Sequence, residues 1–312
     1  MREQRLRHIG LKIPNWGPTA SADSVSGVAR VAEARGFASL WVSDHVAMPS
    51  APMLDYAYGD SARPPFDAST PFLDPFVTLA FVAACTERVQ LATGVFVLPL
   101  RHPLIVAKQV ASLDVLAGGR TVLGIGSGWL RDEFTLLGQS WTDRGRRTDE
   151  AIATLRACWH PGPAQLSDGT VIGIAPAPPQ QDSLPILVGG HSAAAMRRAA
   201  SLGDGWYASN VTVPEFAELV GRLREAEGRV GREDLLVGVR PGVVDPADAA
   251  RIVEELVGHG ADFVVLDAPF GDLSDEAAID WVERTADALG LDGTPGPRLA
   301  GRRVTDGVGA TR

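Results

Sequence analysis

The chain has 312 residues, of which 45% are hydrophobic and 21% are charged, and its formal net charge is −9. This composition is typical of a globular protein with a large buried core, and it excludes a wholly disordered chain. The excess of acidic side chains argues against nucleic-acid binding, which needs clustered Lys and Arg, and against binding to an anionic membrane surface.

Two features of the sequence bear on localisation. The charged residues 1–8 are not followed by the apolar core of a secretory signal, and no apolar run approaches the roughly 20 residues that span a bilayer. Cys85 and Cys158 have no motif spacing, so we expect free thiols in a reducing compartment. These features predict a cytoplasmic protein with neither a membrane nor a nucleic-acid partner.

Eight short apolar runs along the chain predict β-strands. They are residues 9–13, 38–42, 89–98, 121–125, 185–188, 205–207, 235–239 and 262–266. Most of these runs are continuously apolar, which is typical of parallel strands that are covered on both faces.

Amphipathic patterns between these runs predict helices. Apolar residues recur three or four positions apart in four segments, residues 106–116, 216–223, 252–257 and 279–289. Helix starts are indicated at Asp74, Asp245 and Ser274, and Gly36 indicates a helix end. Eight strand-then-helix units in this order favour a (β/α)8 TIM barrel, with an open parallel sheet as the alternative.

One long segment follows the second predicted strand and does not fit the repeat. Residues 46–73 are rich in proline and also carry aromatic side chains, namely Tyr56, Tyr58, Phe66 and Phe72. In a TIM barrel this segment lies at the C-terminal mouth, where long loops often act as lids. We therefore expect these aromatic side chains to line the substrate site.

Two further segments lie outside the repeat. Residues 160–184 contain Asp168-Gly169, which predicts a hairpin inserted between the fourth and fifth units. Residues 291–312 are rich in glycine and arginine and have no apolar periodicity. We expect a single domain over residues 1–290, followed by a mobile C-terminal tail over residues 291–312.

The C-terminal ends of the strands are where TIM-barrel enzymes carry their chemistry. After the fifth strand, Gly189-Gly190-His191-Ser192 opens a helix. The glycines allow a ligand to approach the backbone, and the positive end of the helix dipole favours an anion. An ordinary turn with Ser192 as the helix N-cap explains the same residues equally well.

The fourth strand ends in Gly126-Ser127-Gly128-Trp129, which leaves bare backbone at the mouth. The spacing matches neither the dinucleotide fingerprint nor the nucleophile elbow of the hydrolases. A flat ring could pack on this backbone with Trp129 at its edge. Close packing of strand against helix is the alternative.

Asp44 and His45 follow the second strand. Histidine is readily poised near neutral pH, so His45 is a candidate general acid or base. Successive side chains at a strand end point in opposite directions, so the two side chains need not touch, and a structural role is the alternative. The six histidines of the chain show no metal-ligand spacing, and we expect no metal site.

Taken together, seven segments in the same order resemble the bacterial luciferase-like flavin and deazaflavin oxidoreductases. They are residues 36–45, 93–103, 112–120, 124–129, 144–150, 185–192 and 202–206. The Gly-Gly-His-Ser run at 189–192, followed by Ala-Ala-Ala-Met-Arg-Arg-Ala-Ala, most resembles the branch that uses coenzyme F420.

The resemblance implies a TIM barrel with the cofactor ring in its mouth and the cofactor phosphate at residues 189–192. It also implies that residues 126–129 line the ring or the phosphate. A non-prolyl cis peptide or a bulge is implied behind the ring, within Gly94, Val95 and Phe96. Asp44 and His45 then face the ring or the substrate, with His45 as the general acid or base.

Two departures from the family pattern bear on the activity. The F420-dependent sugar-phosphate dehydrogenases resemble Gly-Thr-Gly-x-Gly-Glu at the end of the fourth strand, where this chain has Trp129 in place of the acid. The arginine that luciferase carries near Ser127 for the phosphate is missing from the neighbouring sequence, which disfavours FMN.

We therefore expect an F420-dependent oxidoreductase that transfers a hydride between the deazaflavin and a small substrate, which the aromatic lid predicts to be apolar or aromatic. An oxygen-using monooxygenase with reduced FMN is the first alternative, and a non-catalytic flavin- or deazaflavin-binding protein is the second. Family members are often dimers, so the resemblance also implies a homodimer.

Overall fold

The computed structural model describes residues 8–50, 64–165, 168–232 and 234–301. Eight parallel strands in these ranges form a barrel, in which each strand pairs with the next and the last pairs with the first. They are β1 (His8–Lys12), β2 (Ser39–Val42), β3 (Gln90–Thr93), β4 (Thr121–Gly126), β5 (Ile186–Gly189), β6 (Gly205–Ser209), β7 (Leu236–Arg240) and β8 (Phe263–Leu266). The predicted (β/α)8 TIM barrel is confirmed.

Helices pack around the outside of the barrel. They are α1 (Ala22–Arg35), α2 (Pro75–Cys85), α3 (Pro103–Leu116), α4 (Arg131–Leu136), α5 (Arg144–Trp159), α6 (Ala193–Leu202), α7 (Val213–Val230), α8 (Ala249–Gly258) and α9 (Asp275–Leu289). Within the described ranges, no helix has the length and apolar character needed to cross a membrane.

The predicted helix boundaries follow from local capping. The Asp74 carboxylate accepts the first N–H groups of α2, and the Ser274 hydroxyl accepts the Ala277 N–H of α9. Gly36 ends α1 with a φ of +93°, a conformation that favours glycine. Asp245 instead caps a single 3-10 turn, and α8 begins after that turn.

Two apolar layers hold the barrel together. The larger layer lies between the strands and the helices, and the smaller one fills the inside of the barrel. The inner layer is built on stacked rings, with the Trp41 ring centroid 5.0 Å from that of Tyr207 and 5.7 Å from that of Phe263. A packed interior leaves the C-terminal mouth as the place for a ligand.

The third predicted strand differs from its expectation. The apolar run 89–98 is not continuous, because β3 ends at Thr93 and a short strand, Phe96–Val97, pairs separately with β4. A cis peptide joins Gly94 to Val95 between the two pieces. Both pieces are buried, and the run 89–98 as a whole is nearly all apolar, so hydrophobicity alone could not reveal the break.

The two other irregular segments are partly described. The hairpin predicted within residues 160–184 is present as Ala164–Gln165 paired antiparallel with Val171–Ile172. In the predicted tail, Leu299 is buried at the N-terminal end of the barrel, where its backbone exchanges two hydrogen bonds with the Gln90 side chain. Residues 302–312 lie outside the described residues, and the division at residue 290 stays a prediction.

Candidate active site

The segment after β3 places an apolar side chain at the barrel mouth. The half-buried Val95 side chain packs against the C-terminal ends of β4 and β5. A Cβ atom on Gly126 would lie 2.8 Å from one Val95 methyl, and a Cβ atom on Gly189 would lie 2.7 Å from the other. Only glycine at these two positions leaves room for Val95 as it stands. The cis peptide expected within residues 94–96 is confirmed between Gly94 and Val95. We call the apolar surface that the Val95 side chain forms against Gly126 and Gly189 the Val95 platform.

Phe96 does not join the other predicted cofactor contacts. Its ring is buried against Phe76, with the centroids 4.7 Å apart, and the Arg101 guanidinium lies 4.3 Å from its centre. Ala92 belongs to the inner layer, so an unbroken strand would also turn Phe96 inward. The break between Thr93 and Phe96 shifts this alternation, and Phe96 packs in the outer layer instead.

The end of β4 lies beside an arginine from a distant helix. Arg198 of α6 places Nη1 3.2 Å from the Ser127 Oγ atom, and Thr148 places its Oγ1 at the same distance. Arg198 and Ser127 are 71 positions apart, so the local sequence could not show this contact. The inference that an arginine is missing near Ser127 is therefore corrected, and the argument against FMN that was drawn from it no longer holds.

A second arginine completes a cationic corner. The Arg144 guanidinium stacks on Trp141, 3.6 Å from the ring centre, and its Nε atom lies 3.4 Å from the Gly128 carbonyl oxygen. Burial and the nearby charge of Arg198 both lower the pKa of Arg144. Asp149 bonds to Arg198 and offsets part of this charge. Two guanidinium groups beside a half-buried hydroxyl make an environment suited to a phosphate.

The glycine-rich turn after β5 has the geometry of a helix N-cap. The Ser192 Oγ atom accepts the Ala195 N–H at 3.2 Å, and the Trp206 indole fixes the turn through the Gly190 carbonyl oxygen at 2.8 Å. His191 accepts the Ser209 N–H at 3.3 Å, and burial lowers its pKa. The N-cap alternative is thus observed. It is compatible with an anion site, because the Ser192 O–H can still donate outward.

His45 is held by a buried carboxylate that the sequence analysis did not select. The His45 Nδ1 atom lies 3.0 Å from Glu133 Oε2, and the Glu133 side chain is 2% exposed. The other Glu133 oxygen accepts the N–H groups of Val46 at 2.6 Å and Ala47 at 3.3 Å. Glu133 lies in the first turn of α4, 88 positions from His45, and the place of this helix after the fourth strand is the one signal that could have found it.

Asp44 points away from its neighbour His45, as the alternation predicts. One Asp44 oxygen lies 2.6 Å from Arg101 Nη2, and the other accepts the Val97 N–H at 2.8 Å. Burial raises the pKa of Asp44, while Arg101 and the Val97 N–H act in the opposite direction. The structure therefore gives Asp44 a buried ion pair that ties the end of β2 to the segment after Val95.

Aromatic rings surround His45. Its ring centroid lies 5.2 Å from that of Phe66, 5.4 Å from Phe72 and 5.8 Å from Trp129. Phe66 and Phe72 belong to the segment predicted as a lid, whereas Tyr56 and Tyr58 lie outside the described residues. The surroundings of His45 are therefore largely apolar. Among the described residues, no three His, Cys, Asp or Glu side chains are grouped to hold a metal ion.

The fold and the residues at its mouth define a TIM barrel whose C-terminal mouth combines an apolar side chain, a cationic corner and a buried histidine–carboxylate pair. The sequence model of the luciferase-like monooxygenases matches residues 10–296. The chain belongs to this family, whose members are F420- or flavin-dependent oxidoreductases and monooxygenases.

Particular relatives include users of both kinds of cofactor. The chain is 32% identical over 277 residues to the F420-dependent glucose-6-phosphate dehydrogenase of Beutenbergia cavernae. This match covers 85% of this chain and 75% of that protein. The F420-dependent tetrahydromethanopterin reductase of Methanopyrus kandleri has a similar structure, with a TM-score of 0.69 at 17% identity over 91% of this chain and 98% of that chain. The structure of the EDTA monooxygenase of Chelativorans sp. BNC1 gives a TM-score of 0.72 at 15% identity, over 94% of this chain and 96% of that chain. The two structures share the fold with this chain.

Proposed function

We propose that the protein is an F420-dependent oxidoreductase that transfers a hydride between the deazaflavin and a small organic substrate. The observation that carries this proposal is the His45–Glu133 pair, a buried histidine and carboxylate surrounded by aromatic rings at the barrel mouth. The choice of the deazaflavin is supported by the F420-dependent dehydrogenase that is 32% identical to this chain.

The residues at the mouth fit such a cofactor. Val95 would support its ring, and Ser127, Ser192 and the Arg198 guanidinium would hold its phosphate. The first N–H groups of α6 have no acceptor within the helix. They point out of its N-terminus, which is the positive end of the helix dipole and attracts an anion. Coenzyme F420, when bound, supplies two-electron hydride chemistry.

His45 moves the proton that accompanies the hydride. Glu133 binds Nδ1, which leaves Nε2 to donate a proton to a substrate oxygen or nitrogen, or to accept one in the reverse direction. The carboxylate stabilises the imidazolium form and fixes the orientation of the ring. Phe66 and Trp129 keep water away from this ring.

Glu133 also bears on the departure at Trp129. The sugar-phosphate dehydrogenases that the sequence resembles have their acid at position 129, whereas this chain brings a carboxylate to His45 from position 133. The proposed site thus has both a histidine and an acid, with the acid supplied from position 133. Asp44 is proposed as a positioning residue, because it contacts Arg101 and Val97.

A monooxygenase that uses reduced FMN and oxygen is the second candidate. The contact between Arg198 and Ser127 is compatible with it, since this corner would hold an FMN phosphate as readily as that of a deazaflavin. The fold is also shared with the EDTA monooxygenase.

Equilibrium titration of the purified protein with F420 and with FMN, each oxidised and reduced, tests the proposal. We expect F420 to bind with micromolar or tighter affinity and FMN to bind much more weakly. Arg198→Gln should weaken F420 binding, whereas Arg197→Gln, an exposed arginine on the same helix, should leave it unchanged. Tighter binding of reduced FMN would replace the proposal with the monooxygenase.

A further inference from the structure

Asn15 lies just after the first strand and is completely buried, although its side chain is polar. Its exposed fraction is 0%. A buried amide is costly unless its polar atoms have hydrogen-bond partners, so the partners of Asn15 show which parts of the fold it joins. The proposed proton transfer and the cationic corner do not involve this residue.

The pairing of β1 with β2 stops just before Asn15. The last regular hydrogen bond runs from the Ile13 N–H to the Trp41 carbonyl oxygen at 2.9 Å. If the parallel ladder continued, the Ser43 N–H would donate to Ile13 and the Ser43 carbonyl oxygen would accept the Asn15 N–H. The chain turns at Pro14 instead, and the Asn15 N–H donates to the Ile13 carbonyl oxygen at 2.8 Å. This turn takes both ladder partners away from the Ser43 backbone.

The side chain of Asn15 replaces both of these partners. Its Nδ2 atom donates to the Ser43 carbonyl oxygen at 2.8 Å, and its Oδ1 atom accepts the Ser43 N–H at 2.9 Å. An amide side chain carries the same donor and acceptor as a peptide group, so it can extend the ladder by one position. Ser43 lies two residues before His45. The Asn15 amide therefore fixes the start of the segment that carries the histidine.

Asn15 also holds the end of the segment predicted as a lid. Its Nδ2 atom donates a second hydrogen to the Leu73 carbonyl oxygen at 3.2 Å, and its backbone carbonyl oxygen accepts the Leu73 N–H at 2.8 Å. The preceding residue, Phe72, contacts the His45 ring and stacks on Trp16, with the Phe72 and Trp16 centroids 6.2 Å apart. Asn15 thus fixes one of the rings around His45 as well as the backbone before it.

The His45 backbone is held on both sides. Asn15 binds it two residues before the histidine, and Glu133 binds it directly after the histidine. Between these two anchors the His45 Nδ1 atom lies 3.0 Å from the Glu133 carboxylate. A displacement of about 1 Å from a working geometry can cost roughly 100-fold in rate, so the first anchor matters to the proton transfer.

We propose that Asn15 is a positioning residue, which holds the His45 ring against Glu133 by joining the end of β2 to the end of the predicted lid. Both Nδ2 hydrogens are donated within the protein and the side chain has no exposed surface, so Asn15 acts through His45. The effect on turnover rests on the proposed function, whereas the effect on the His45–Glu133 hydrogen bond does not.

Gln90 offers a matched control at the opposite end of the barrel. Its side chain is also a buried amide that exchanges two hydrogen bonds with the backbone, at 2.9 and 2.7 Å from Leu299. Asn15→Ala and Gln90→Ala therefore remove the same chemical group from two buried places. Both variants should unfold at a lower urea concentration than the wild-type protein, but only Asn15→Ala should disturb the mouth.

Proton NMR of the full-length protein, with isotope-labelled histidine and without cofactor, observes the His45–Glu133 bond. Because Glu133 accepts from Nδ1, the Nδ1–H proton is protected from exchange with water and should give a resolved signal. His45→Ala assigns this signal by removing it. We expect the signal to keep its position in Gln90→Ala and to be lost or displaced in Asn15→Ala.

Kinetics with F420 give a second readout. Asn15→Ala should lower kcat about tenfold or more and leave the dissociation constant of F420 within about threefold, because Ser127 and Arg198 lie on other elements. Gln90→Ala should change neither quantity by more than about twofold. If Asn15→Ala does not fold, Asn15→Ser replaces it with the same expectations, since its hydroxyl can keep one of the lost bonds.

A His45 signal that is unchanged in the Asn15 variant, or lost equally in Gln90→Ala, would overturn the proposal, as would a wild-type protein without this signal. If neither Asn15 variant folds while Gln90→Ala does, Asn15 stabilises the whole fold and the positioning role is refuted. The NMR readout does not depend on a cofactor. Absence of turnover with F420 would therefore contradict the proposed function and leave the NMR result standing.

Discussion

Replacing Glu133 by glutamine removes the negative charge next to His45 and preserves the shape of the side chain. The wild-type carboxylate accepts three hydrogen bonds, from the His45 ring and from the N–H groups of Val46 and Ala47. In the variant the amide oxygen can still accept the two backbone N–H groups. The amide nitrogen then faces His45 Nδ1, where it can only donate.

The size of the effect follows from this geometry. A hydrogen bond to a charged group contributes about 1.5–3 kcal/mol, which corresponds to roughly a 10- to 100-fold change in rate. Because the charge stabilises the protonated His45 ring during proton transfer, we expect kcat to fall by this factor. KM should stay within about threefold, since the Glu133 side chain is only 2% exposed and is expected to act on the substrate through His45.

Steady-state kinetics with F420 and urea unfolding of the same samples give the measurement. Glu150→Gln is the matched control, because the Glu150 side chain is 59% exposed and forms a surface ion pair with Arg146. We expect the control to keep its kcat and to change the free energy of unfolding by less than about 0.5 kcal/mol. An unchanged kcat in Glu133→Gln, or a rise in KM alone, would refute the role assigned to Glu133.

Three other predictions concern separate parts of the mouth. Gly126→Ala should displace Val95, cost about 1–3 kcal/mol of stability and weaken cofactor binding, as urea unfolding and titration would show. Ser192→Ala should weaken cofactor binding, whereas His45→Ala should mainly lower kcat, as titration and kinetics would separate. Burial lowers the pKa of Lys12 from 10.5 to about 8. Between pH 8 and pH 10.5 the Lys12 amine therefore holds its proton more often in the unfolded chain than in the folded protein. The free energy of unfolding should therefore rise with pH in this window relative to Lys12→Met.

Each of these predictions has a control and a contradicting result. Gly221→Ala on α7 meets no atom within 4 Å and should leave cofactor binding intact. Tight cofactor binding by Gly126→Ala would show that Val95 is not the platform. Equal losses of binding in the Ser192 and His45 variants would show that the roles are wrongly assigned, and parallel pH profiles would contradict the Lys12 pKa.

The barrel could be predicted from the sequence because its signals are local. Continuous apolar runs mark buried parallel strands, and Asp74, Ser274 and Gly36 mark helix ends through hydrogen bonds with their near neighbours. The cis peptide was expected from the family resemblance, whereas hydrophobicity alone predicted an unbroken strand. The outward position of Phe96 follows from this break and was missed for that reason.

The chemistry of the mouth was harder to predict because it depends on contacts across the fold. Glu133 reaches His45 and Arg198 reaches Ser127 only after helices from distant parts of the chain pack against the barrel. The ion-paired cluster of Lys12, Arg240 and Asp267 joins the first strand to the last two. Its members gave no signal as single residues in sequence, since each looked like an ordinary residue at a strand end.

The central claim is hydride transfer with F420, and anaerobic turnover tests it most directly. Reduced F420 would be mixed with the protein and a panel of aromatic keto acids, enones and imines, and the absorbance of oxidised F420 would be followed. The account predicts substrate-dependent oxidation without oxygen, which His45→Ala largely abolishes. Turnover that requires reduced FMN and consumes oxygen, or cofactor binding with no turnover of any acceptor, would contradict it.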